Sequence, residues 1–262
     1  AEYLLRTSDV LHFHMTADED TPFGPFLPRD YLAGKAVVHH HHGHPDFRAH
    51  PEKYREKYKA RRRHNLLVST PDLLRKLPEA RWLPNLVPIN EPRYLPCAGP
   101  KAGPPERPVT IAHSPTRKDL KNTAELTAAV AGLAGEGVSV ALEMLDDCPH
   151  EYCLRRKRLA HLCFDHLQGY FGMSSLEALS QGLPTIAGLD DWNAGHIRER
   201  FGVEELPWVI SSPAALTDDL RALVRDADRR EAIGAASRRF METVWNDRAV
   251  AGQLAKFYET LR

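Results

Sequence analysis

Short apolar runs bounded by turn residues alternate with charged, helix-patterned runs along most of the chain. Residues 9–14 (Asp-Val-Leu-His-Phe-His) alternate apolar and polar positions as a strand does. Residues 35–40 form a second strand that runs into four consecutive histidines, His39 to His42, and Gly43. Residues 51–63 are strongly charged with no breaker after Pro51, which predicts an exposed helix with proline at its start. Residues 66–69 predict a third strand, Thr70-Pro71-Asp72 the start of a helix through Lys76, and residues 82–85 a short extended piece. This is a βαβα pattern with about three strands.

Residues 96–108 carry five prolines and two glycines, a density that neither helix nor sheet survives, and predict a linker between two domains. Beyond it the alternation is more regular. Strands are expected at 109–113, 138–145, 160–165, 184–188 and 207–210. Helices are expected from a cap at Asn122 through Leu133, near 151–159 (a basic stretch), at 173–181, near 194–201 and from Ser212-Pro213 to about Arg225, with two more to finish. The last, 246–262, is amphipathic with Val250, Leu254, Phe257, Tyr258 and Leu261 as its apolar positions. Strands alternating with helices predict an α/β fold with a parallel sheet covered on both faces. Ligands on such sheets bind at the carboxyl ends of the strands. His113, the loop after Leu145 and residues 169–175 all fall at that edge.

Composition narrows the function classes. Lys+Arg and Asp+Glu are equal at 35 each, which gives no electrostatic reason to expect nucleic acid or an anionic membrane. No apolar run approaches a membrane span and no signal-peptide pattern opens the chain, so a cytoplasmic placement is expected. Cys97, Cys148, Cys153 and Cys163 are too few for a disulfide scaffold, and reduced thiols are expected. Cys148, His150, Cys153, His161, Cys163 and His166 are all metal-ligand types, but their spacing is not that of a zinc finger or ribbon. No metal is expected.

The stretch 169–186, Gly-Tyr-Phe-Gly-Met-Ser-Ser-Leu-Glu-Ala-Leu-Ser-Gln-Gly-Leu-Pro-Thr-Ile, carries the most specific chemistry. Gly169 and Gly172 predict a loop that opens into a helix at Met173, with Gly182 just past its end and Pro184 leading the next strand. A glycine loop at a helix start presents backbone N–H groups and the positive end of the helix dipole, a means of holding a phosphate. Glu177, one turn in, is placed to accept hydrogen bonds from sugar hydroxyls beside that phosphate.

These residues resemble the GT-B glycosyltransferases, in particular the large retaining group that uses nucleotide-sugar donors. One match is His113-Ser114-Pro115-Thr116-Arg117-Lys118-Asp119-Leu120-Lys121-Asn122-Thr123, where the group has a strand followed by a loop with a basic pair. The more specific match is Gly169-Tyr170-Phe171-Gly172 followed by Glu177-Ala178-Leu179-Ser180-Gln181-Gly182-Leu183-Pro184-Thr185-Ile186, where the group has Glu-Gly-Phe-Gly and a second Glu eight positions on. More loosely, Asp9-Val10-Leu11-His12, His41-His42-Gly43, Val68-Ser69-Thr70-Pro71-Asp72 and Leu83-Pro84-Asn85 with Val87 recur in the order seen in the acceptor domain of such enzymes. The resemblance implies two Rossmann-like domains, a truncated or minimal acceptor domain at 1–95 and a donor domain at 109–245. The final helix would cross back to the first domain or pack on its own.

For the site, the resemblance implies a role for each of several side chains. Arg117 and Lys121 would neutralise a leaving diphosphate, electrostatic stabilisation that replaces a metal. Gly172, Met173, Ser174 and Ser175 would offer N–H groups and hydroxyls to the same diphosphate, and Glu177 would hold the ribose. His42 resembles the acceptor-side histidine that faces the donor sugar, with slippage to His41 or a structural role as alternatives. His113 would line the cleft. Gly169 departs from the group, which has a sugar-contacting glutamate there. The expected activity is metal-independent sugar transfer from a nucleotide diphosphate sugar to a carbohydrate or other hydroxyl acceptor, with retention, and no cofactor. The alternatives are a non-catalytic nucleotide-sugar-binding or assembly subunit, with an oligomer or missing N-terminal segment supplied by a partner, and a sugar epimerase of the same architecture.

Overall fold

The computed structural model describes residues 1–97 and 108–261, so most of the expected linker at 96–108 lies outside the described residues. The chain divides into two compact units, one of Ala1–Asn85 with Val250–Arg262 and one of Leu86–Ala249. The division falls ahead of residue 95, the expected end of the first domain, because residues 86–97 are tied to the second unit. Arg238 Nη1 donates to the carbonyls of Ile89 and Tyr94 at 3.0 and 3.3 Å, and Gln181 Nε2 to that of Arg93 at 2.8 Å.

In the first unit, α1 (Glu2–Thr7) precedes β1 (Val10–His14) and β2 (Ala36–His41). Then α2 (Pro45–Ala49) and α3 (Pro51–Ala60) lead to β3 (Asn65–Val68), and a 3-10 turn at Pro71–Arg75 leads to β4 (Arg81–Trp82). The four strands are parallel in the order β1-β2-β3-β4. The helix expected through Lys76 is this 3-10 turn, and the two-residue β4 adds a strand where an extended piece was expected. Strand alternation sends His39 and His41 to one face of β2, against Tyr58, Phe47 and Tyr54, and His40 to the other beside His12 and His14. On that second face Val38, Leu67 and Leu83 form a small core with Val10. The apolar stripe of α10 (Asp247–Glu259), Leu254, Phe257 and Tyr258, covers it, followed by Leu261.

The second unit contains β5 (Val109–His113), α4 (Thr123–Gly135), β6 (Val140–Met144), α5 (His150–Leu159), β7 (Leu162–Phe164), α6 (Met173–Ser180), β8 (Thr185–Ala187), α7 (Asp191–Phe201), β9 (Trp208–Ile210), α8 (Leu216–Arg225) and α9 (Ala227–Thr243). Its strands are parallel in the order β6-β5-β7-β8-β9. Strands β5, β7 and β8 are mostly apolar, with Thr110, His113 and Thr185 as their polar positions. Ile111, Leu162, Phe164 and Ile186 pack with Leu126 and Leu133 of α4 and Leu216, Leu220 and Leu223 of α8. The chain leaves β5 for β6 on one side and returns to β7 on the other. The carboxyl ends of the neighbours β5 and β7 therefore open into a crevice at the topological switch point. No helix of the described residues is long and apolar enough to cross a membrane.

Candidate functional site

The loops that leave β5 and β7 meet at this edge. Phe164 ends β7, and Asp165, only 3% exposed, organises the loop beyond it. Its Oδ2 accepts from the Gly172 N–H at 2.6 Å and from the Ser175 hydroxyl at 2.7 Å. One carboxylate thereby fixes both the glycine loop and the first turn of α6. Phe171 anchors the loop from below, buried with its ring 5.3 Å from Trp208 and 5.5 Å from Trp245. Gly169 turns the chain at φ +87°, a left-handed conformation that favours glycine. Gly172 precedes α6 without a side-chain cap, so the first turn presents its N–H groups to the crevice.

Around that helix start the polar side chains form one connected set. Ser114, just after β5, shares a 2.8 Å hydrogen bond with Ser174. Lys157 of α5, wholly buried, donates to Ser174 Oγ at 3.0 Å and to Glu177 Oε2 at 2.7 Å, while His150 Nε2 lies 2.7 Å from Glu177 Oε1. Burial works against the Lys157 charge, but Glu177 outweighs it and raises the lysine above its ordinary value. Lys121 Nζ comes within 3.9 Å of Asp165 Oδ1 and stays one-fifth exposed. Burial would raise the Asp165 carboxyl, yet His166, Lys121 and the Gly172 N–H hold it below the usual range.

The expected site residues separate into four placements. Gly172, Met173, Ser174, Ser175, Glu177 and Lys121 gather at the β5/β7 edge. Arg117 does not join them; it is solvent-exposed and paired with Asp119 by a 2.9 Å hydrogen bond from Nε. His113 is beneath the surface, 1% exposed, with Nδ1 3.1 Å from the Phe164 carbonyl and Nε2 2.9 Å from Thr123 Oγ1. Both its ring nitrogens are thus engaged inside the unit, and burial lowers its pKa. Asn122 stands at the N-cap of α4, as expected, but its side chain makes no cap hydrogen bond. It takes φ +52°, and its side-chain oxygen accepts instead from the Leu167 N–H at 2.9 Å. His42 belongs to the first unit, one residue past β2, with Nδ1 3.1 Å from Asn85 Oδ1 and Nε2 2.9 Å from His14 Nδ1. Burial lowers it to about 4, so it is neutral at physiological pH.

Three residues escaped the sequence reading. Lys157 is hidden in the run Arg155-Arg156-Lys157-Arg158, whose composition marks a solvated face. Asp165 looks like an ordinary strand end. Asp190 caps α7 through Oδ1, which accepts from the Asn193 N–H at 2.8 Å. Its Oδ2 lies 3.3 Å from where a Cβ at Gly169 would stand. A carboxylate therefore sits beside the position where the resemblance led one to expect glutamate.

No protein-family model and no curated protein matches the chain. Solved structures do match. A sucrose-phosphate synthase from Thermosynechococcus elongatus superposes with a TM-score of 0.64 at 17% identity, over 99% of this chain and 75% of that one. Anabaena HepE in complex with UDP and glucose gives 0.65 at 12% identity, over 88% of this chain and 74% of that one. S. aureus TarM in a complex that includes UDP gives 0.61 at 13%, over 85% of this chain and 51% of that one. The fold is that of the GT-B glycosyltransferases, two Rossmann-like α/β units with the first the smaller. The chain spans between half and three quarters of the length of these structures.

Proposed function

We propose that the chain is a glycosyltransferase that binds a nucleotide diphosphate sugar at the β5/β7 edge of its second unit and transfers the sugar to an acceptor hydroxyl. The observation that carries this reading is the convergence of Lys121, Ser174 and the first turn of α6 on the switch-point crevice, with Asp165 holding that turn in place. As the bond between the anomeric carbon and the diphosphate oxygen breaks, negative charge develops on the leaving group. The Lys121 ammonium and the α6 N–H groups are fixed before that charge appears, so they stabilise it without reorganisation. Lys157 does not compete for this role, because its charge is neutralised by Glu177. The ribose hydroxyls reach Glu177 Oε1 in exchange for His150, whose side chain is more than half exposed.

In this reading transfer needs no metal at the diphosphate and proceeds with retention at the anomeric carbon. Asp190 supplies the carboxylate for the donor sugar, and neutral His42 serves the acceptor side. The test is a thermal-shift screen of nucleoside diphosphates and their sugars. A ligand that binds only the folded state raises Tm by mass action even when no turnover occurs. At least one nucleotide should stabilise the protein, and the shift at the same nucleotide concentration should be smaller in Lys121→Ala. If none of them stabilises it, the donor-site reading is wrong. Stabilisation without transfer or hydrolysis of any nucleotide sugar would instead make the chain a nucleotide-sugar-binding subunit.

A further inference from the structure

The first unit carries a second cluster of chemistry that the proposed transfer does not use. Strands β1 and β2 are parallel, with His14 in register with His40 and His12 with Val38. Residues two apart share a face, so His12, His14 and His40 stand together on one side of the sheet. Their rings lie 4.2 Å (His12–His14), 5.4 Å (His12–His40) and 5.5 Å (His14–His40) apart between centroids. One ring nitrogen from each lies within 4.8 Å of the other two.

Burial makes this arrangement costly on its own terms. His40 is 5% exposed and neither of its ring nitrogens has a hydrogen-bond partner; His12 Nε2 is likewise buried and unpartnered. A strand face of valines would leave no such orphans. An unsatisfied buried polar group costs about 1–3 kcal/mol, and each needs a reason.

On two of the three rings the other nitrogen is held as a ligand set requires. His12 Nδ1 is 2.6 Å from the Tyr258 hydroxyl. His42 donates through Nδ1 to Asn85 Oδ1 at 3.1 Å, which leaves its Nε2 to accept from His14 Nδ1 at 2.9 Å. With Nδ1 of His14 committed as a donor, its Nε2 carries the lone pair, and a donor bond from His12 Nδ1 to Tyr258 does the same for His12. A second layer of hydrogen bonds that fixes tautomer and ring orientation is what metal-binding histidines have.

We propose that His12, His14 and His40 bind one divalent transition-metal ion of the zinc type, with a fourth position open on the exposed His14 side. Three imidazoles with no oxygen ligand among them suit zinc, copper or nickel rather than magnesium or calcium. A tetrahedral zinc with nitrogens at about 2.0–2.1 Å asks each nitrogen to move inward by roughly 1 Å, within reach of small side-chain rotations. The ion clamps β1 to β2 and, through Tyr258, couples both to α10. The donor residues of the second unit take no part; the one residue shared with the transfer reading is His42, which orients His14 and is not itself a ligand.

The test uses the full chain without an affinity tag, stripped with chelator and titrated with Zn²⁺ in a calorimeter, then with Co²⁺ in a spectrophotometer. One zinc per chain is expected, with intense visible Co²⁺ bands of a tetrahedral site. A histidine run such as His39 to His42 binds metal unaided, but His12 and His14 lie outside it. His12→Gln and His14→Gln should each weaken binding by at least tenfold, while His39→Gln should leave it unchanged. His14 is exposed, so its variant folds even if a His40 variant does not. Less than one zinc per chain, binding indifferent to His12 and His14, or a weak octahedral Co²⁺ spectrum would each overturn the proposal.

Discussion

Lys157 Nζ lies 2.7 Å from Glu177 Oε2, and neither residue is more than 7% exposed. The pair joins the last turn of α5 to the helix that opens the candidate donor site. Breaking a buried ion pair from one side leaves the other charge uncompensated and costs about 3–5 kcal/mol. Lys157→Met should therefore lower the urea midpoint sharply. Lys157→Met with Glu177→Leu should cost much less than the two single changes summed, because no charge is then stranded. Additive losses would mean that the two residues act independently.

Lys121 and Arg117, a basic pair in the sequence, should separate in function. Lys121 faces Asp165 and the α6 start, whereas Arg117 points to solvent against Asp119. Lys121→Ala should weaken nucleoside diphosphate binding by about tenfold or more, the scale of one lost charge-assisted contact. Arg117→Ala should have a smaller effect that vanishes at high salt. Isothermal titration of both variants at two ionic strengths checks this.

Replacing Gly169 with the glutamate of the family pattern should not improve the protein. At φ +87° an L residue is strained by about 1–2 kcal/mol, and its Cβ would already stand 3.3 Å from Asp190 Oδ2, with a second carboxylate to place beside the first. Gly169→Glu should lose stability and gain no affinity for the nucleotide sugar. Asp190→Asn, which keeps an acceptor for the α7 cap, should spare diphosphate binding but weaken binding of the sugar-bearing donor. Parallel titrations with a nucleoside diphosphate and its sugar separate the two.

His113 gives the second unit an acid-sensitive step. Burial lowers its pKa, with Lys121 and Lys157 adding to the effect, and the bond to the Phe164 carbonyl and the Asp165 charge offset this only in part. Because the folded value is depressed, the unfolded chain takes up the proton first. Stability is intact above the unfolded value of about 6.5 and falls below it by about 1.4 kcal/mol per pH unit until the folded value is reached. His113→Gln should be less stable at pH 7 yet show a shallower decline between pH 6.5 and 5. Denaturant midpoints across that range are the measurement.

Much of the second unit was legible because its residues have single backbone tasks. Gly169 and Gly182 stand at positive φ, Phe171 is buried under the loop, and the apolar runs became β5, β7 and β8. The side chains that tie elements together were not legible. Which of four consecutive cations turns inward depends on the phase of α5 against α6, which only packing sets; that choice fell on Lys157. Asn122 reads as a cap until its side chain is taken by the Leu167 N–H, 45 positions away. Alternation separated His40 and His42 from His39 and His41, but the register that brings His12 and His14 to His40 belongs to the sheet alone.

The first unit is discontinuous: Ala1–Asn85 is rejoined by Val250–Arg262, whose Leu254, Phe257, Tyr258 and Leu261 lie over Val38, Leu67 and Leu83. During vectorial synthesis those core positions stay uncovered until residues 250–261 have emerged, while Leu86–Ala249 is contiguous and can fold before them. The sheet of the first unit is therefore completed only after every residue of the second has been made, and until then Val38 and Leu67 of nascent β2 and β3 lack their cover.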